Sequence, residues 1–574
     1  MFPLMGKVKA LSTGLGYEAA QAPMVQETDN WRMLPWEQYQ RNVRRLQQRI
    51  YQATKQKAWR TVHQLQRLLL RSWSARCVAV RQVTQDNRGK RTAGIDGIAN
   101  LRPTERLYLA ESLKDLTRTA SGIRRIYIPK ADGGQRGLGI PTMQDRAAQA
   151  LTKLALEPEW EAQFEPNSYG FRPGRSAHDA IEAIFNHIAK KPKYVLDADI
   201  EKCFDKISHE KLLAKLNTIP IIANLVQGWL KAGIFDKGNW HKPETGVPQG
   251  GVISPLLMNV AMHGFETAIG ADLPLLQRGV VIRYADDFVI LHADLRILLT
   301  LKAQAENWLA EIGLNMKDSK THITHTLHKH EGNIGFDFLG FHIRQYPVGK
   351  YRTKTYKSTA GHKTLIKPSR KAVQRHLDKL KEAIQHHRAA PQAALIQHLN
   401  PVIRGWRRYY RTVVSKEVFS RVDTLLYHKL KRWARFRHSN KTNGWCKRRY
   451  WRVIQGRKRF ATEQNSLATH DEEPITRHVK VRHDKSPFDG DWAYWTKRLG
   501  RDPMIPQRVA GLMRQQDGRC GHCNLSFTSQ EVFEVHHVDG NHMNNKWGNL
   551  QLLHGRCHDR VHATAKRALM TTAA

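Results

Sequence analysis

Apolar residues recur at helical spacing between about residues 36 and 83, among arginine, lysine and glutamine. The repeating positions are Leu46, Ile50, Val62, Leu65, Leu68 and Leu69. Such a stripe predicts amphipathic helix. An ordinary core-packing helix and a helix that faces RNA are compatible interpretations of it. From about residue 123 to 345 the pattern changes to short apolar runs between helices, punctuated by glycine and proline. These patterns predict a multidomain α+β protein.

Charge narrows the class of partner. The chain has 93 Lys and Arg residues against 51 Asp and Glu, a formal net charge of +42. A positive field of that strength indicates a polyanionic partner. The excess is greatest in residues 344–460, with about 32 basic against about 4 acidic side chains, where helical periodicity returns. We expect no membrane partner, because no run of about 18 apolar residues occurs, and no secretory signal at the N-terminus.

The length and these changes of pattern predict several folded units. We place a helical extension at residues 1–120, an α+β unit at 121–345 and a basic helical unit at 346–440. A basic region with a linker follows at 441–505, and a compact unit rich in cysteine and histidine occupies 506–574.

Three aspartates form the strongest candidate for catalysis. Asp286 and Asp287 lie between two apolar, β-rich runs in VVIRYADDFVIL (280–291), which predicts a hairpin with acids at its tip. Asp199 ends an apolar run in KYVLDADIEKCFDKIS. Adjacent carboxylates repel each other and are costly to bury without a cation. Nucleotidyl transfer uses two Mg²⁺ ions bridged by carboxylates from separate strands. The three aspartates therefore predict such a site, although an Asp-Asp pair alone is usually a solvated turn.

The surrounding blocks resemble reverse transcriptases, specifically the group II intron-encoded kind. In chain order they are RRIYIPKADGGQRGLGIPTMQDRAAQ (124–149), SYGFRPGRSAHDAI (168–181), the Asp199 block, TGVPQGGVISPLLMN (245–259), the Asp286 block, GLNMKDSKT (313–321) and FDFLGF (336–341). The resemblance implies a right-hand-like fold, with fingers and palm over 121–345, the start of the fingers before it, and an α-helical thumb after it.

The same resemblance implies roles for single residues. Lys130 and Arg136 would contact the incoming triphosphate, and positive side chains flanking a glycine-rich turn suit that task. Arg172 and Arg175 would reach template or phosphate, and Gln249 would line the nucleotide pocket. Phe204 would exclude a ribose 2′-hydroxyl by its bulk, and Lys320 is a candidate acid for release of pyrophosphate.

The basic helical unit contains PVIRGWRRYYRTVV (401–414), which resembles the thumb, or maturase domain, of this family. Guanidinium groups interleaved with aromatic rings suit phosphate pairing and base stacking. The residues expected to bind RNA are Arg404, Arg407, Arg408, Tyr409 and Tyr410. The alternative is a charged helix whose aromatic residues, Trp406 and Tyr409, belong to the core. Residues 441–505 fit a DNA-binding region by position alone.

Three of the six cysteines lie in the last 60 residues beside clustered histidines, which indicates metal binding and not disulfides. We predict a structural Zn²⁺ site formed by Cys520, Cys523, His554 and Cys557. His522 or His542 is an alternative to His554. A second site, formed by His536, His558 and His562, would hold Mg²⁺ or a similar ion, because helical spacing places His558 and His562 on one face.

The cysteine- and histidine-rich unit resembles HNH endonucleases, whose small fold is of the ββα-metal type. The resemblance implies that His537 activates the attacking water and that Asn549 orients His537. The chain departs from the family at His554, where a cysteine is common. The alternative is a structural zinc knuckle with no nuclease activity.

The order of these units implies a multifunctional group II intron-encoded protein. It would use dNTPs, an RNA template and a DNA primer as an RNA-directed DNA polymerase, and would bind its intron RNA and assist splicing as a maturase. Its HNH unit would nick target DNA to prime reverse transcription during retrohoming. The implied cofactors are Mg²⁺ and Zn²⁺, and the expected location is the bacterial cytoplasm or nucleoid, or an organelle. The alternatives are a reverse transcriptase of another retroelement and a splicing-only, RNA-binding maturase.

Overall fold

A computed structural model describes residues 30–129, 133–348, 361–483 and 485–572 as a mixed α and β protein. Within these ranges, every helix is too short or too polar to cross a lipid bilayer.

The N-terminal unit (residues 30–113) consists of helices. They are α1 (Trp36–Lys55), α2 (Trp59–Arg71), α3 (Trp73–Arg81) and α4 (Pro103–Ser112), with a π-helical turn, Gln82–Asp86, after α3. The helix predicted over 36–83 is therefore interrupted twice. Lys57 adopts a left-handed backbone with φ of 56°, and the Ser72 hydroxyl accepts a hydrogen bond from the Ala75 N–H to start α3. Leu68 is 52% exposed, so it lies outside the buried stripe.

Residues 123–268 alternate short strands with helices. The elements are β1 (Ile123–Pro129), β2 (Gln135–Ile140), α5 (Met143–Glu161), α6 (Ala177–Ile188), β3 (Tyr194–Asp199), α7 (Cys203–Lys206), α8 (His209–Leu216), α9 (Pro220–Lys231), β4 (Ile234–Asp236), β5 (Asn239–His241), α10 (Ser254–Ala261) and α11 (Phe265–Ala268). Four of the strands form one sheet in the order β2-β1-β4-β5.

A second four-stranded sheet, which we call the central sheet, takes the order β6-β7-β3-β8. Its later elements are β6 (Val280–Tyr284), β7 (Asp287–His292), α12 (Leu295–Glu311) and β8 (His322–His325). Along β7, Phe288 and Ile290 pack into one hydrophobic core, while Val289 and Leu291 pack into another. Because side chains alternate between the faces of a strand, the central sheet is buried on both faces.

A third sheet comes next. The helices of the predicted basic unit and the hairpin after them share a hydrophobic core, and we treat them together as the basic helical unit (residues 370–460). The elements are β9 (Phe336–Phe338), β10 (Phe341–Pro347), β11 (His362–Pro368), α13 (Arg370–His386), α14 (Gln392–Tyr410), α15 (Lys416–Arg437), α16 (Asn443–Tyr450), β12 (Trp451–Ile454) and β13 (Arg457–Phe460). The sheet has the order β11-β10-β9, and β12 pairs with β13.

The C-terminal unit (residues 506–572) is small. It is reached through α17 (Trp492–Leu499) and consists of α18 (Gln507–Gln515), β14 (Phe533–His537), β15 (Leu550–His554) and α19 (Gly555–Thr572). The strands β14 and β15 form an antiparallel hairpin directly before α19.

The described residues pack into four hydrophobic cores. The largest runs from Trp31 to Met316, so the N-terminal unit and one face of the central sheet share it. A second core joins the other face of that sheet to β9, β10 and the end of α14. The basic helical unit and the C-terminal unit each have a core of their own.

Candidate active sites

The three predicted aspartates meet at one end of the central sheet. Asp199, the last residue of β3, is paired directly with Asp287, the first residue of β7. Asp286 lies in the two-residue turn between Tyr284 and Asp287, and its carbonyl accepts a hydrogen bond from the Ile200 N–H at 3.4 Å. The structure thus brings together acids that are 87 and 88 positions apart in the sequence.

The turn of this hairpin is shaped by its backbone. Ala285 has a φ of 60°, a left-handed conformation that is uncommon for a residue with a side chain. Gly170 lies so close to the turn that a Cβ there would be 2.3 Å from the Ala285 nitrogen. The block containing Gly170 therefore supports the hairpin by direct contact.

Burial and mutual repulsion raise the pKa of two of these carboxyl groups, Asp286 and Asp287. Burial, reinforced by Asp286 and Asp199, raises the pKa of Asp287 to about 7. Burial also raises the pKa of Asp286, with Asp199 adding to the shift. Lys320 donates from Nζ to Asp199 Oδ2 at 2.5 Å, and this bond raises the pKa of Lys320. A cluster of carboxylates with one ammonium group fits divalent cations that prefer oxygen ligands.

Predicted nucleotide contacts lie beside this cluster. Arg136 donates from Nε to Gln249 Oε1 at 2.8 Å, which joins β2 to the loop after β5. Phe204 is 5% exposed and packs edge-on against Phe171, with ring centroids 6.2 Å apart. Phe204 and Gln249 both line a cavity of about 210 Å³. Lys130 lies outside the described residues.

Two arginines of the SYGFRPGRSAHDAI block serve the fold. The Arg172 guanidinium is bidentate to Glu161 at 2.8 and 3.0 Å and also donates to the Glu165 and Ser168 carbonyls. Its side chain is 1% exposed. Arg175 donates to the carbonyls of Pro166 and His483. These contacts account for both arginines as structural residues, and Arg172 is closed off from template or nucleotide.

The candidate RNA contacts on α14 separate into two groups. Arg407 is buried and pairs with Glu472 at 2.7 Å and Glu473 at 2.5 Å. The Tyr409 hydroxyl donates to the Leu339 carbonyl, and the Tyr410 hydroxyl donates to the Gly340 carbonyl.

Both tyrosine rings pack on Phe341, and Trp406 stacks on His376 at 4.4 Å. These contacts agree with the alternative interpretation, in which the aromatic residues of this helix belong to the protein core. Arg404 is exposed and Arg408 is half-buried, so these two remain available for RNA.

The four predicted zinc ligands form one cluster in the C-terminal unit. The sulfurs of Cys520, Cys523 and Cys557 and one ring nitrogen of His554 all lie within 4.8 Å of one another, and all four residues are buried. His554 Nδ1 is 3.3 Å from the Cys523 sulfur. Three thiols with one imidazole are a donor set that suits tetrahedral Zn²⁺. His522 instead faces Glu37 at 3.6 Å.

His536, His558 and His562 form the second predicted cluster, also within 4.8 Å. The Nε2 atoms of His558 and His562 are 3.1 Å apart, a spacing that calls for a shared proton or a bound cation. Glu534 Oε2 lies 2.8 Å from His558 Nδ1. Imidazole nitrogens suit transition-metal ions, whereas Mg²⁺ prefers oxygen. The three histidines therefore fit a transition metal better than the Mg²⁺ expected from the sequence.

His537 and Asn549 lie at the same end of the hairpin without touching. Asn549 donates from Nδ2 to Asp539 Oδ1 and to the Asn544 carbonyl, both at 2.8 Å, and its Oδ1 accepts from the Asp539 N–H. Neither ring nitrogen of His537 has a hydrogen-bond partner among the described residues. Asn549 thus orders the loop that follows His537, and His537 is left free to accept a proton.

Two acidic residues near these sites were missed by the sequence analysis. Glu534 precedes His536 by two positions on β14, so strand alternation places both on one face. Asp197 precedes Asp199 by two positions on β3 in the same way, and burial followed by repulsion from Asp287 raises the pKa of Asp197 to about 7. The period-2 rule was a signal available for both residues.

Comparisons with known families divide the chain in the same order. Residues 31–113 match the family described as the N-terminal domain of reverse transcriptase, and residues 128–343 match reverse transcriptase (RNA-dependent DNA polymerase). Residues 373–451 match the group II intron, maturase-specific domain, and residues 520–564 match HNH endonuclease.

Curated relatives agree with these families. Protein YkfC of Escherichia coli (strain K12) is 31% identical over 312 residues, covering 46% of this chain and 78% of YkfC. Group II intron-encoded protein LtrA of Lactococcus lactis subsp. cremoris is 37% identical over 187 residues, 31% of each chain. Maturase-like protein 1 of Euglena gracilis is 26% identical over 386 residues, 66% of this chain and 76% of that protein.

Proposed function

The chain belongs to the group II intron-encoded proteins, with reverse transcriptase, maturase-specific and HNH endonuclease domains, and on this premise we propose how its sites divide the work. It extends a DNA primer on an RNA template, holds its intron RNA during splicing, and nicks target DNA to supply that primer.

The observation that carries the polymerase proposal is the pairing of Asp199 with Asp287 beside Asp286. These carboxylates would hold two Mg²⁺ ions, which activate the primer hydroxyl and stabilise the leaving pyrophosphate. The chain itself does the positioning. Arg136 and Gln249, which are joined by a hydrogen bond, would bracket the nucleotide, and Phe204 would exclude a 2′-hydroxyl. Lys320, held beside Asp199, would deliver a proton to the leaving group.

We assign the parts of a right hand accordingly. The sheet containing β1 and β2 belongs to the fingers, the central sheet is the palm, and α13, α14 and α15 form the thumb. Intron RNA and the template-primer duplex would lie against the basic helical unit, where Arg404 and Arg408 are accessible. The predicted boundaries at residues 120, 345, 440 and 505 remain part of this proposal, as does residence in a bacterial cytoplasm or nucleoid, or in an organelle.

For the nuclease, the hairpin β14-β15 followed by α19 supports a ββα-metal assignment. Cys520, Cys523, His554 and Cys557 would hold a structural Zn²⁺, while His536, His558 and His562 would hold the divalent ion that stabilises the leaving oxygen. His537 acts as the general base, since its ring nitrogens are unpaired and it follows His536 directly. Asn549 positions His537 through the loop it orders.

Primer extension tests the polymerase. Asp286→Asn should lower the rate of dNTP incorporation on an RNA template by about a thousandfold or more, because a proposed Mg²⁺ ligand loses its charge. Asp272→Asn is the matched control: its carboxylate is exposed and accepts hydrogen bonds from Gln304. Equal rates for Asp286→Asn and wild type would remove the polymerase assignment and favour a splicing-only maturase.

Strand nicking tests the nuclease separately. His537→Ala should abolish cleavage of the target strand and leave primer extension unchanged, because the two sites belong to different cores. His386→Ala, an exposed histidine of α13, provides the control. Normal nicking by the His537 variant would show that another group is the base.

A further inference from the structure

The histidine in the predicted zinc site has a second ring nitrogen that needs a hydrogen-bond partner, and a cysteine has no such group. His554 presents Nδ1 to the sulfurs, so its Nε2 points away from the metal position. His554 is 0% exposed, and Nε2 has no hydrogen-bond partner among the described residues. The Glu531 carboxylate faces this nitrogen, with Oε2 at 3.5 Å. Metal-bound histidines usually have a carboxylate or carbonyl behind them that fixes the ring.

Glu531 is shared between the C-terminal unit and the N-terminal unit. Within the C-terminal unit it accepts hydrogen bonds from Arg556 at 2.5 Å and from the Thr528 hydroxyl at 2.9 Å. Its Oε2, the oxygen that faces His554, also forms an ion pair with Arg44 of α1. The Arg44 and Glu531 side chains are 13% and 12% exposed, so this pair is largely shielded from solvent.

The other contacts between these units are more exposed. Arg560 pairs with Glu37 at 3.0 Å, and Arg81 pairs with Asp559, whose side chain is 48% exposed. Each solvated ion pair of this kind contributes little to stability, and salt screens it. His522, next to Cys523, also reaches Glu37 at 3.6 Å, again through a more exposed pair. In the contact between Arg44 and Glu531 both side chains are shielded, and the same carboxylate faces the ring of a predicted zinc ligand.

We propose that Glu531 couples the Cys520, Cys523, His554 and Cys557 metal site to Arg44, so that metal binding and docking of the nuclease unit on the polymerase stabilise each other. Glu531 is a positioning residue: it holds His554 for the metal and Arg44 for the interface. The inference rests on the proposed Zn²⁺ at this site. Coupling between two binding events is reciprocal, so weakening the interface weakens retention of the metal.

Zinc release measures this coupling directly. The full-length protein loaded with zinc is mixed with an excess of a chromogenic chelator, and the rate of transfer is followed by absorbance. Glu531→Gln should release zinc at least about tenfold faster, in line with losses of a metal ligand's supporting partner. Arg44→Gln should release it faster in the same direction by a smaller factor. Arg45→Gln, an exposed neighbour on α1, should match wild type.

The Arg44 variant is decisive because it leaves every residue of the C-terminal unit intact, so its result does not depend on Glu531→Gln folding normally. An Arg44→Gln rate equal to wild type would overturn the coupling while leaving the zinc proposal in place. Purified wild type that retains no zinc by elemental analysis would overturn both.

Hydrogen exchange provides the reverse measurement. Removing zinc from wild type should increase exchange in peptides from α1, which contains no metal ligand, as well as in residues 520–557. Loss of protection confined to residues 520–557 would contradict the inference. Loss in both segments, with unchanged primer extension, is the expected result.

Discussion

Arg404 and Arg407 lie about one turn apart on α14, but their environments differ. Arg404 faces solvent, whereas Arg407 is 4% exposed and neutralises Glu472 and Glu473. The same guanidinium group is therefore accessible to a ligand at one position and is used in the fold at the other. Charge density along a sequence cannot distinguish these two uses.

Substitution separates the two roles. Arg407→Ala should lower stability by about 1–3 kcal/mol, because it removes a buried guanidinium shared by Glu472 and Glu473, although Arg459 and Arg411 still pair with these carboxylates. Arg404→Ala should leave stability unchanged and weaken binding of intron RNA severalfold. Thermal unfolding and RNA titration of both variants test this. Equal thermal midpoints for wild type and Arg407→Ala would contradict the structural role.

Phe204 provides a residue-scale test of substrate choice. Its ring lines the cavity beside Gln249, so Phe204→Val should open space for a 2′-hydroxyl. We expect the ratio of kcat/KM for dNTP over rNTP to fall at least about tenfold, since pocket volume discriminates by 1–3 kcal/mol. Leu154→Val, in the partly buried shell of the same core, is a control for loss of volume. An unchanged ratio would exclude Phe204 as the discriminating group.

The meeting of Asp199, Asp286 and Asp287 was predictable because local apolar runs mark the strands that carry them. Within the histidine and cysteine clusters, the pairs Cys520/Cys523, His554/Cys557 and His558/His562 have short, ligand-like spacings. The resemblance to HNH endonucleases joined these separated pairs into two sites. Arg172 and Arg407 were not, since the partners that bury them, Glu161 and Glu473, are set by tertiary packing. A sequence reports that a charge exists, but a buried ion pair depends on which elements meet.

At the scale of elements, the segment that leads to the C-terminal unit is fastened to α6 by one carboxylate. Asp179, fully buried, accepts from Arg498 at 2.6 and 2.8 Å, from His478 at 3.0 Å and from the Val481 N–H at 2.7 Å. It also accepts from the Ser176 N–H, which starts α6. Burial alone would raise the pKa of Asp179, but these donors hold it well below its ordinary value.

This shift predicts how the attachment depends on pH. A carboxyl whose pKa is lower in the folded state than in the unfolded state stabilises the folded protein at pH values above its unfolded pKa of about 3.9. That stabilisation is lost as the pH falls toward the pKa of the folded state. Asp179→Asn keeps an acceptor for the start of α6 but removes the charge. It should cost about 3 kcal/mol at pH 7 and markedly less near pH 3.

Urea unfolding of wild type and Asp179→Asn at both pH values measures the difference, with Asp272→Asn as the control. A destabilisation that stays constant between pH 7 and pH 3 would mean that the charge of Asp179 contributes nothing.

For helices and strands, as for single residues, features set by local sequence were predictable, and features set by tertiary packing were not. The hairpin of β6 and β7 was predicted because both strands and their turn are consecutive. The breaks at Lys57 and Ser72 were not, because the apolar stripe continues in phase across them and a helix end depends on local caps. The position of β3 between β7 and β8 joins distant segments, which no local pattern specifies.

At the scale of the molecule, the excess of positive charge lies at the surface, where few acidic side chains are available to pair with it. Many acidic side chains are already engaged inside the protein, including Asp179, Glu161, Glu473 and Glu531. The net charge of +42 therefore lies largely at the surface, over a structure whose central sheet is sealed on both faces. Such a surface binds polyanions through release of their counterions.

Binding of RNA should then depend steeply on salt. We expect the logarithm of affinity to fall linearly with the logarithm of salt concentration, with about six or more phosphates neutralised, so that affinity falls at least about a thousandfold between 50 and 200 mM. Arg404→Ala should reduce the slope by about one phosphate contact, whereas Arg407→Ala should not, because its charge is already paired. Fluorescence titrations over this range give both slopes. A shallow slope for wild type would mean that shape and stacking, and not the surplus of charge, hold the RNA.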